Sequence, residues 1–167
     1  MTPELKFLKE CSGGELVRVK TGDGSQWAIV GKPDRRYQPI VLLSTTIPPM
    51  AVDMLEGGAV AGDFERYSAL SFGTKYSILP QYQGSCQLGA GSLFTKAGSF
   101  IFADKEQYLL TSRERSTSIM WFDFRTGGMS SRQGGQRAAF AGWELRVEGL
   151  SLTAPPLLSH KINVRES

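Results

Sequence analysis

The chain has 167 residues, of which 41% are hydrophobic and 21% are charged, a composition typical of one globular domain and not of a disordered segment. Its net charge of +3 and isoelectric point of about 8.9 are too weakly basic to indicate a nucleic-acid-binding protein. The longest strand-like apolar run, residues 40–43, is far too short to span a membrane, and no signal peptide is visible near the start. We therefore expect a cytoplasmic protein, or one of the plastid stroma.

The first part of the chain is predicted to form a short helix followed by a hairpin. Residues 3–10 have apolar positions at helical spacing and precede Gly13, which predicts a helix that ends there. Residues 15–21 and 26–31 read as two strands. The Gly-Asp-Gly sequence between them is typical of a tight turn, because glycine adopts positive φ without a steric penalty.

The strongest helix signal lies at residues 50–56, after a buried strand predicted at residues 39–44. Pro48-Pro49 precede this segment and Gly57-Gly58 follow it. Proline fits the first turn of a helix and glycine fits its C-terminal end, so the pattern predicts a helix.

The rest of the chain is predicted to be β-structure, although residues 63–70 also fit a helix. The further predicted strands are residues 66–72, 75–79, 91–96, 99–103, 107–112, 117–124 and 138–147. Their spacing and turn signals favour a sandwich or a barrel. We expect one all-β domain over residues 1–153, with one or two short helices, and an extended C-terminal tail over residues 154–167.

The familiar catalytic and metal-binding patterns are missing from the sequence. His160 is the single histidine and falls in the predicted tail, so a Ser-His-Asp or Cys-His site is not indicated. One histidine and two separated cysteines do not suffice for a zinc or iron cluster, and we expect no metal and no cofactor. Cys11 and Cys86 are interpreted as reduced thiols, with a disulfide or a covalent ligand anchor as the alternatives.

Three neighbouring features are candidates for a ligand site. Trp121 and Phe122 are adjacent on a strand, so they point to opposite faces and one of them faces the interior of a barrel; core packing is the alternative. Glu114 is either an exposed ion-pair partner or a carboxylate that holds a proton on a ligand. Several guanidinium groups suit a planar, acidic ligand, with a solvated surface as the alternative. These arginines are Arg113, Arg115, Arg125, Arg132 and Arg137.

The order of these elements resembles the S-type phycobiliprotein lyases. Residues 99–112, which read SFIFADKEQYLLTS, are similar to that family's strand, acidic turn and strand. Trp121-Phe122 matches its Trp-Phe pair, and Glu144-Leu145-Arg146 looks like its closing strand. The family continues after Trp-Phe with Asn-Leu-Arg-x-Arg, whereas this chain continues with Asp123-Phe124-Arg125, so the resemblance is to a divergent member.

The resemblance implies an antiparallel β-barrel of the lipocalin or fatty-acid-binding-protein type, with one small ligand in its mouth. It implies that the ligand is a linear tetrapyrrole (a bilin), and that the protein is a chromophore lyase that attaches the bilin to a cysteine of a phycobiliprotein subunit. Trp121 would line the cavity, and Glu114 would steady the protonated pyrroles. The propionates would pair with Arg18, Arg125 or Arg132.

Two other functions stay open at the level of sequence. One is a non-catalytic barrel that binds a different small ligand. The other is an interaction module whose interior is filled with side chains, and whose partner surface is the loop at residues 127–135. Exposed edge strands make a homodimer a reasonable expectation, and we expect neither a nucleic acid nor a membrane as partner.

Overall fold

The computed structural model of this chain describes residues 2–21, 24–33, 39–53, 68–81, 96–103, 105–113, 116–131, 137–148 and 154–162. Within these ranges the chain forms fourteen β-strands and one short 3-10 helix, Leu8–Glu10. The strands are β1 (Glu4–Phe7), β2 (Leu16–Thr21), β3 (Gly24–Val30), β4 (Pro39–Leu43), β5 (Met50–Asp53), β6 (Ser68–Ser71), β7 (Tyr76–Pro80), β8 (Phe100–Ala103), β9 (Glu106–Arg113), β10 (Ser116–Asp123), β11 (Gly128–Ser130), β12 (Arg137–Phe140), β13 (Gly142–Val147) and β14 (Leu158–Lys161). Over the same ranges, no helix has the length and apolar character needed to cross a bilayer.

Eleven of these strands form one large, mostly antiparallel sheet. Its order is β1-β6-β2-β3-β4-β5-β9-β10-β11, and β8 and β12 extend it from β9. β5 runs parallel to the end of β9, where Met50 lies opposite Ser112. β8 pairs antiparallel with the first half of β9. β9 therefore joins two halves of the large sheet, one with β1–β6 and the other with β8, β10, β11 and β12.

The other three strands form a small antiparallel sheet with β13 between β7 and β14. Side chains along β13 alternate between two faces, as expected for a strand. Trp143 and Leu145 are fully buried, whereas Glu144 and Arg146 are partly exposed. One face of the small sheet is therefore available to pack against the large sheet.

The main hydrophobic core lies between the two sheets. It combines side chains from both halves of the large sheet with side chains from the small sheet. Its members are Leu16, Ile29, Val41, Leu43, Ala51, Phe100, Leu109, Phe122, Phe124 and Phe140 with Tyr76, Ile78, Trp143 and Leu145. A single core thus holds the two sheets together.

The large sheet is buried on its other face as well, in two smaller clusters. Val17 and Val19 of β2 pack with Leu8 of the 3-10 helix in one of them. Trp121 of β10 packs with Tyr108 of β9 in the other. We call the second one the Trp121 cluster. Both faces of the central strands are therefore apolar, which explains why neighbouring residues on one strand are both buried.

The all-β class is confirmed, and two predicted helices are wrong. Residues 4–7 of the predicted N-terminal helix form β1, which pairs with β6, and only Leu8–Glu10 is helical. Residues 50–53 of the second predicted helix form β5, which pairs with both β4 and β9. Residues 54–56 lie outside the described residues. In both places strand pairing overrides the local helix signals.

Most predicted strands that fall on described residues are present, and one further strand, β14, lies where a tail was expected. The predicted strand at residues 138–147 is divided at Ala141 into β12 and β13. Residues 154–167, expected as a tail, contain β14, which pairs with β13 through four residue pairs. The strand predicted at residues 91–96 falls almost wholly outside the described residues.

Over the described residues, the large sheet is not closed into a barrel. Its two end strands, β1 and β11, do not pair with each other in the described residues. The end of β3 instead meets the turn after β10, where the Lys32 N–H group donates a 2.9 Å hydrogen bond to the carbonyl of Gly127. Closure of the lipocalin type stays a prediction.

Glycines make this contact possible because the two backbone segments approach so closely that a Cβ atom would not fit between them. Gly14 and Gly127 have φ values of +91° and +83°, which disfavour other residues. A Cβ atom on Gly127 would lie 2.7 Å from the Cα atom of Gly13 and 2.8 Å from the nitrogen of Lys32. We call Gly13, Gly14 and Gly127 the glycine crossing.

Candidate functional site

A cavity of about 400 Å³ lies along the small sheet. Its walls contain both polar and apolar side chains and come from three strands or their ends and from the turn after β4. Its lining residues include Thr45, Gln81, Gly142, Glu144, Ser159 and Lys161. We call this cavity the Gly142 cleft. Its volume is within the range of small-molecule sites, which is about 300–1,000 Å³.

Gly142 adds room at the floor of the cleft because it has no side chain. Gly142 begins β13 and lies opposite Lys161 of β14, and its carbonyl accepts a 2.8 Å hydrogen bond from the Gln81 N–H group. A Cβ atom on Gly142 would lie 3.4 Å from His160 O, 3.5 Å from Gln81 Cβ and 3.7 Å from Lys161 Cγ. These are ordinary contacts, so a methyl group would occupy the floor of the cleft without moving its walls.

The walls of the cleft carry both signs of charge. Glu144 lies opposite Ser159 in the β13–β14 pairing, and its Oε2 atom is 3.0 Å from Arg146 Nε. Lys161 is exposed at the rim. Together with the amide of Gln81, these groups offer several hydrogen-bond donors and one carboxylate to a bound molecule.

A buried histidine lies beneath the cleft on the core side of β14. The ring of His160 stacks on that of Trp143 at a centroid distance of 5.3 Å. Its Nδ1 atom is 3.0 Å from Ser44 O, so Nδ1 carries the proton and donates. Its Nε2 atom is buried and has no hydrogen-bond partner within the described part of the chain.

Burial governs the protonation of this histidine. Desolvation lowers the pKa of His160, and the hydrogen bonds to the carbonyls of Ser44 and Thr45 offset only part of that effect. The imidazole is therefore neutral at physiological pH. The 4% exposure of His160 and its fixed Nδ1 contact make it a link between β14 and the turn after β4.

A second cavity of about 300 Å³ lies between the ends of the two sheets. Arg125, Gln107, Ser77 and Glu148 are among its lining residues, and we call it the Arg125 cleft. The hydroxyl of Tyr76, at its inner end, lies 2.8 Å from Gly14 O and 3.0 Å from Phe124 O. Burial raises the pKa of Tyr76, and the nearby charge of Asp123 adds to this effect, so the hydroxyl stays a hydrogen-bond donor.

Arg18 is held against an aromatic ring. It lies directly opposite Trp27 in the β2–β3 pairing, and its guanidinium carbon is 4.8 Å from the centre of the Trp27 ring. Its Nε–H group donates a 3.0 Å hydrogen bond to Ser25 Oγ. The stacking and the hydrogen bond fix the orientation of the guanidinium group.

Trp121 is a core residue on the other face of the large sheet. It is 5% exposed and packs edge-to-face on Tyr108, with ring centroids 5.6 Å apart. Arg18 shares its face with Leu16 of the main core, whereas Trp121 belongs to the Trp121 cluster. The structure therefore does not bring Arg18 and Trp121 together.

Three other site residues were predicted, of which the structure describes Arg125 and does not describe Glu114 or Arg132. Arg125 is exposed, and its backbone N–H group donates a 3.0 Å hydrogen bond to Asp123 Oδ1. Glu114 and Arg132 lie outside the described residues, so their roles stay predictions. In the described ranges, no group of histidine, cysteine and carboxylate side chains is arranged to hold a metal ion.

A buried carboxylate that the sequence analysis did not single out anchors the edge of the large sheet. Glu15 is 6% exposed and accepts hydrogen bonds from Ser71 Oγ at 2.6 Å, from Lys6 Nζ at 3.1 Å and from the Ser12 N–H group. Burial works to raise the pKa of Glu15, but these three donors outweigh it and hold the pKa below its usual value. Glu15 is therefore ionised, and it links β1 to β6.

Sequence reasoning missed the residues of the Gly142 cleft. Gly142 and Gln81 meet only through the β7–β13 pairing, and nothing local in either segment indicates it. His160 had a usable signal, because Leu158, His160 and Ile162 alternate with polar residues and so indicate a strand with one buried face.

Comparisons with protein-family models, with characterised proteins and with solved structures give no match to this chain. The resemblance to the phycobiliprotein lyases therefore stays a prediction made from the sequence.

Proposed function

We propose that this protein binds a small organic acid in the Gly142 cleft and does not transform it. The observation that carries the proposal is the cleft of about 400 Å³ with Gly142 at its floor and several polar side chains in its walls. A well-formed concave site with a few convergent polar groups is the usual form of a small-ligand site.

The chemistry of the walls favours an anionic group on the ligand. Lys161 supplies an ammonium group at the rim, and the side chains of Gln81 and Ser159 supply neutral donors. Glu144 is already paired with Arg146, so its negative charge is partly compensated. A carboxylate near Lys161, with a flat body over the Gly142 backbone, satisfies these groups.

The environment of His160 favours binding of a ligand in the cleft without catalysis. His160 stacks on Trp143 and its Nδ1 proton is bound to Ser44, while its Nε2 atom faces the Gly98 backbone, where an added Cβ would lie 2.8 Å away. In this proposal His160 supports the cleft from below and does not exchange protons with the ligand.

A bilin in a lipocalin-like barrel, delivered to a phycobiliprotein cysteine, is the finer proposal. Its support is the resemblance around Trp121-Phe122. Arg125 is the predicted propionate partner that lines a described cavity, so a bilin would be expected in the Arg125 cleft and not in the Gly142 cleft. The cytoplasm or the plastid stroma is the proposed compartment in either case.

The test is a titration of ¹⁵N-labelled protein with benzoate, followed by amide chemical shifts. We expect saturable shifts at residues 142, 159 and 161. Gly142→Ala should weaken binding at least about tenfold, because its methyl group occupies the cleft floor, and Lys161→Gln should weaken it because the cation is lost. The unfolding midpoint of Gly142→Ala should stay close to that of the unaltered chain, since the added Cβ meets only ordinary contacts.

Arg125→Gln is the matched control, because Arg125 lines the other cavity. Benzoate binding that survives Arg125→Gln and fails in Gly142→Ala supports the proposal. Shifts that are absent, or equal in Gly142→Ala and the unaltered chain, overturn it. A parallel titration with phycocyanobilin, read by visible absorbance, tests the finer proposal: a red-shifted band that Arg125→Gln removes favours it, and a spectrum of free bilin rejects it.

A further inference from the structure

An apolar patch lies exposed at one end of the large sheet. Leu5 is 70% exposed, Phe7 is 43% exposed and Leu70 is 41% exposed. Leu5 lies directly opposite Leu70 in the β1–β6 pairing, and Phe7 follows two residues later on the same face. These three are among five large hydrophobic side chains that are exposed in the described ranges. We call them the β1 patch.

The patch lies on a strand with an open edge. β1 is the terminal strand of the large sheet and pairs with β6 on one side, while no described strand pairs with its other side. The backbone groups along such an edge are a template for a further strand. An apolar face next to an open edge marks a surface suited to strand addition.

We propose that β1 of a second copy of this chain occupies this edge, antiparallel and related by a two-fold axis. The sequence of β1 is Glu-Leu-Lys-Phe, and an antiparallel pair centred on Leu5 sets Glu4 opposite Lys6 of the second copy. Leu5 then lies opposite Leu5 of the second copy. Each strand thus presents complementary charges on one face and apolar side chains on the other, as an isologous interface requires.

The alternative registers are less favourable. Centring the pair on Lys6 keeps the faces matched but sets two Lys6 ammonium groups directly opposite each other, which is destabilising. A shift by one residue sets Leu5 beside Lys6 and so mixes the apolar face with the charged face. The charge pattern of β1 therefore selects both the partner and the register.

The rest of the edge is rigid enough to support this contact. Lys6 is held by a 3.1 Å ion pair with the buried Glu15, and Glu15 also accepts a hydrogen bond from Ser71 of β6. These bonds fix β1 against the sheet before the second copy arrives, so less conformational freedom is lost on association.

Sedimentation equilibrium of the unlabelled chain tests the proposal over roughly 5–500 µM, the range in which a small interface associates. We expect a monomer–dimer equilibrium. Leu5→Asp should weaken the dimer at least about tenfold, because it sets like charges opposite each other in place of an apolar pair. Ile47→Asp is the matched control, since Ile47 is 62% exposed but lies away from β1. A chain that stays monomeric, or a dimer that Ile47→Asp weakens as much as Leu5→Asp does, overturns the proposal.

Cysteine cross-linking tests the register separately. In the pair centred on Leu5, the two Cβ atoms of residue 5 are about 4.5–5.5 Å apart, close enough for Leu5→Cys to form a disulfide-linked dimer with small adjustments. Phe7→Cys should not cross-link, because Phe7 lies opposite Pro3 of the second copy. The unaltered chain, which contains Cys11 and Cys86, gives the background. Cross-linking at residue 7 and not at residue 5 rejects this register.

Discussion

His160 shows how a single side chain joins separate parts of the fold. Its ring lies between Trp143 and Gly98, and its Nδ1 proton is donated to Ser44 O. Trp143 in turn donates its indole N–H to Gly98 O at 2.9 Å. The two aromatic residues thus tie β13 and β14 to two turns of the large sheet. One hydrogen bond of this kind contributes about 1 kcal/mol.

The protonation of His160 makes stability depend on pH. The pKa of His160 in the folded protein lies below the unfolded value of 6.5, chiefly because of burial. As the pH falls, the unfolded chain therefore binds the proton first. The stabilisation is complete above pH 6.5 and is lost progressively below it, by at most about 1.4 kcal/mol per pH unit. Urea unfolding at a series of pH values between 7 and 5 measures this slope.

His160→Gln is the comparison that isolates this histidine. The variant keeps a side-chain donor but does not titrate in this range, so its free energy of unfolding should fall less steeply than that of the unaltered chain. The carboxylates titrate in both proteins and cancel in the difference. Equal slopes in the two proteins would mean that His160 does not contribute to the pH dependence of stability.

The glycine crossing lets the turn after β10 approach the end of β3. Gly127 needs its positive φ, and its Cα also leaves room for the backbone of Gly13 and Lys32. Gly127→Ala should lower the free energy of unfolding by about 1–2 kcal/mol for the backbone conformation. The steric clash should add about 1–3 kcal/mol. Denaturant unfolding measures the sum.

Gly73→Ala separates the two contributions of Gly127→Ala. Gly73 has a φ of +69°, but an added Cβ there meets nothing within 4 Å. Gly73→Ala should therefore show only the conformational part of the loss. If both variants lose the same stability, the close approach at the glycine crossing has no energetic weight.

The elements also show where sequence reasoning works and where it fails. Short apolar runs and the turn signals between them predicted β2, β3, β9 and β10 within one or two residues, because both signals are local. The helix predicted at residues 50–56 failed for a tertiary reason. Pro49 O accepts 3.0 Å hydrogen bonds from both the backbone and the side chain of β9, from Ser112 N and Thr111 Oγ1. The segment that follows is thereby aligned beside β9.

The candidate site was harder to predict than the strands. Arg125 was singled out and does line a cavity, whereas Trp121 faces the Trp121 cluster and Arg18 stacks on Trp27. The sequence shows that the adjacent residues Trp121 and Phe122 point to opposite faces of a strand, but it does not show which face other residues cover. Here both faces are covered, which depends on contacts between residues far apart in sequence.

Across the whole molecule, the main core makes the two sheets interdependent. The small sheet has three strands, and its buried face consists of side chains that pack into that core. Without the large sheet, this apolar face would be exposed to water, which costs free energy in proportion to its area. The small sheet is therefore expected to unfold together with the large sheet in one cooperative transition.

Native-state hydrogen exchange with Phe122→Ala tests this cooperativity. Phe122 belongs to β10 of the large sheet and is fully buried in the main core, so truncation should cost about 3–5 kcal/mol. The amide protons of β13 in the small sheet should lose the same protection as those of β3 in the large sheet. Leu79→Ala, on the outer face of the small sheet at 37% exposure, should change both by less than about 1 kcal/mol. If Phe122→Ala leaves the exchange protection of the β13 amide protons unchanged, the small sheet folds without the large one.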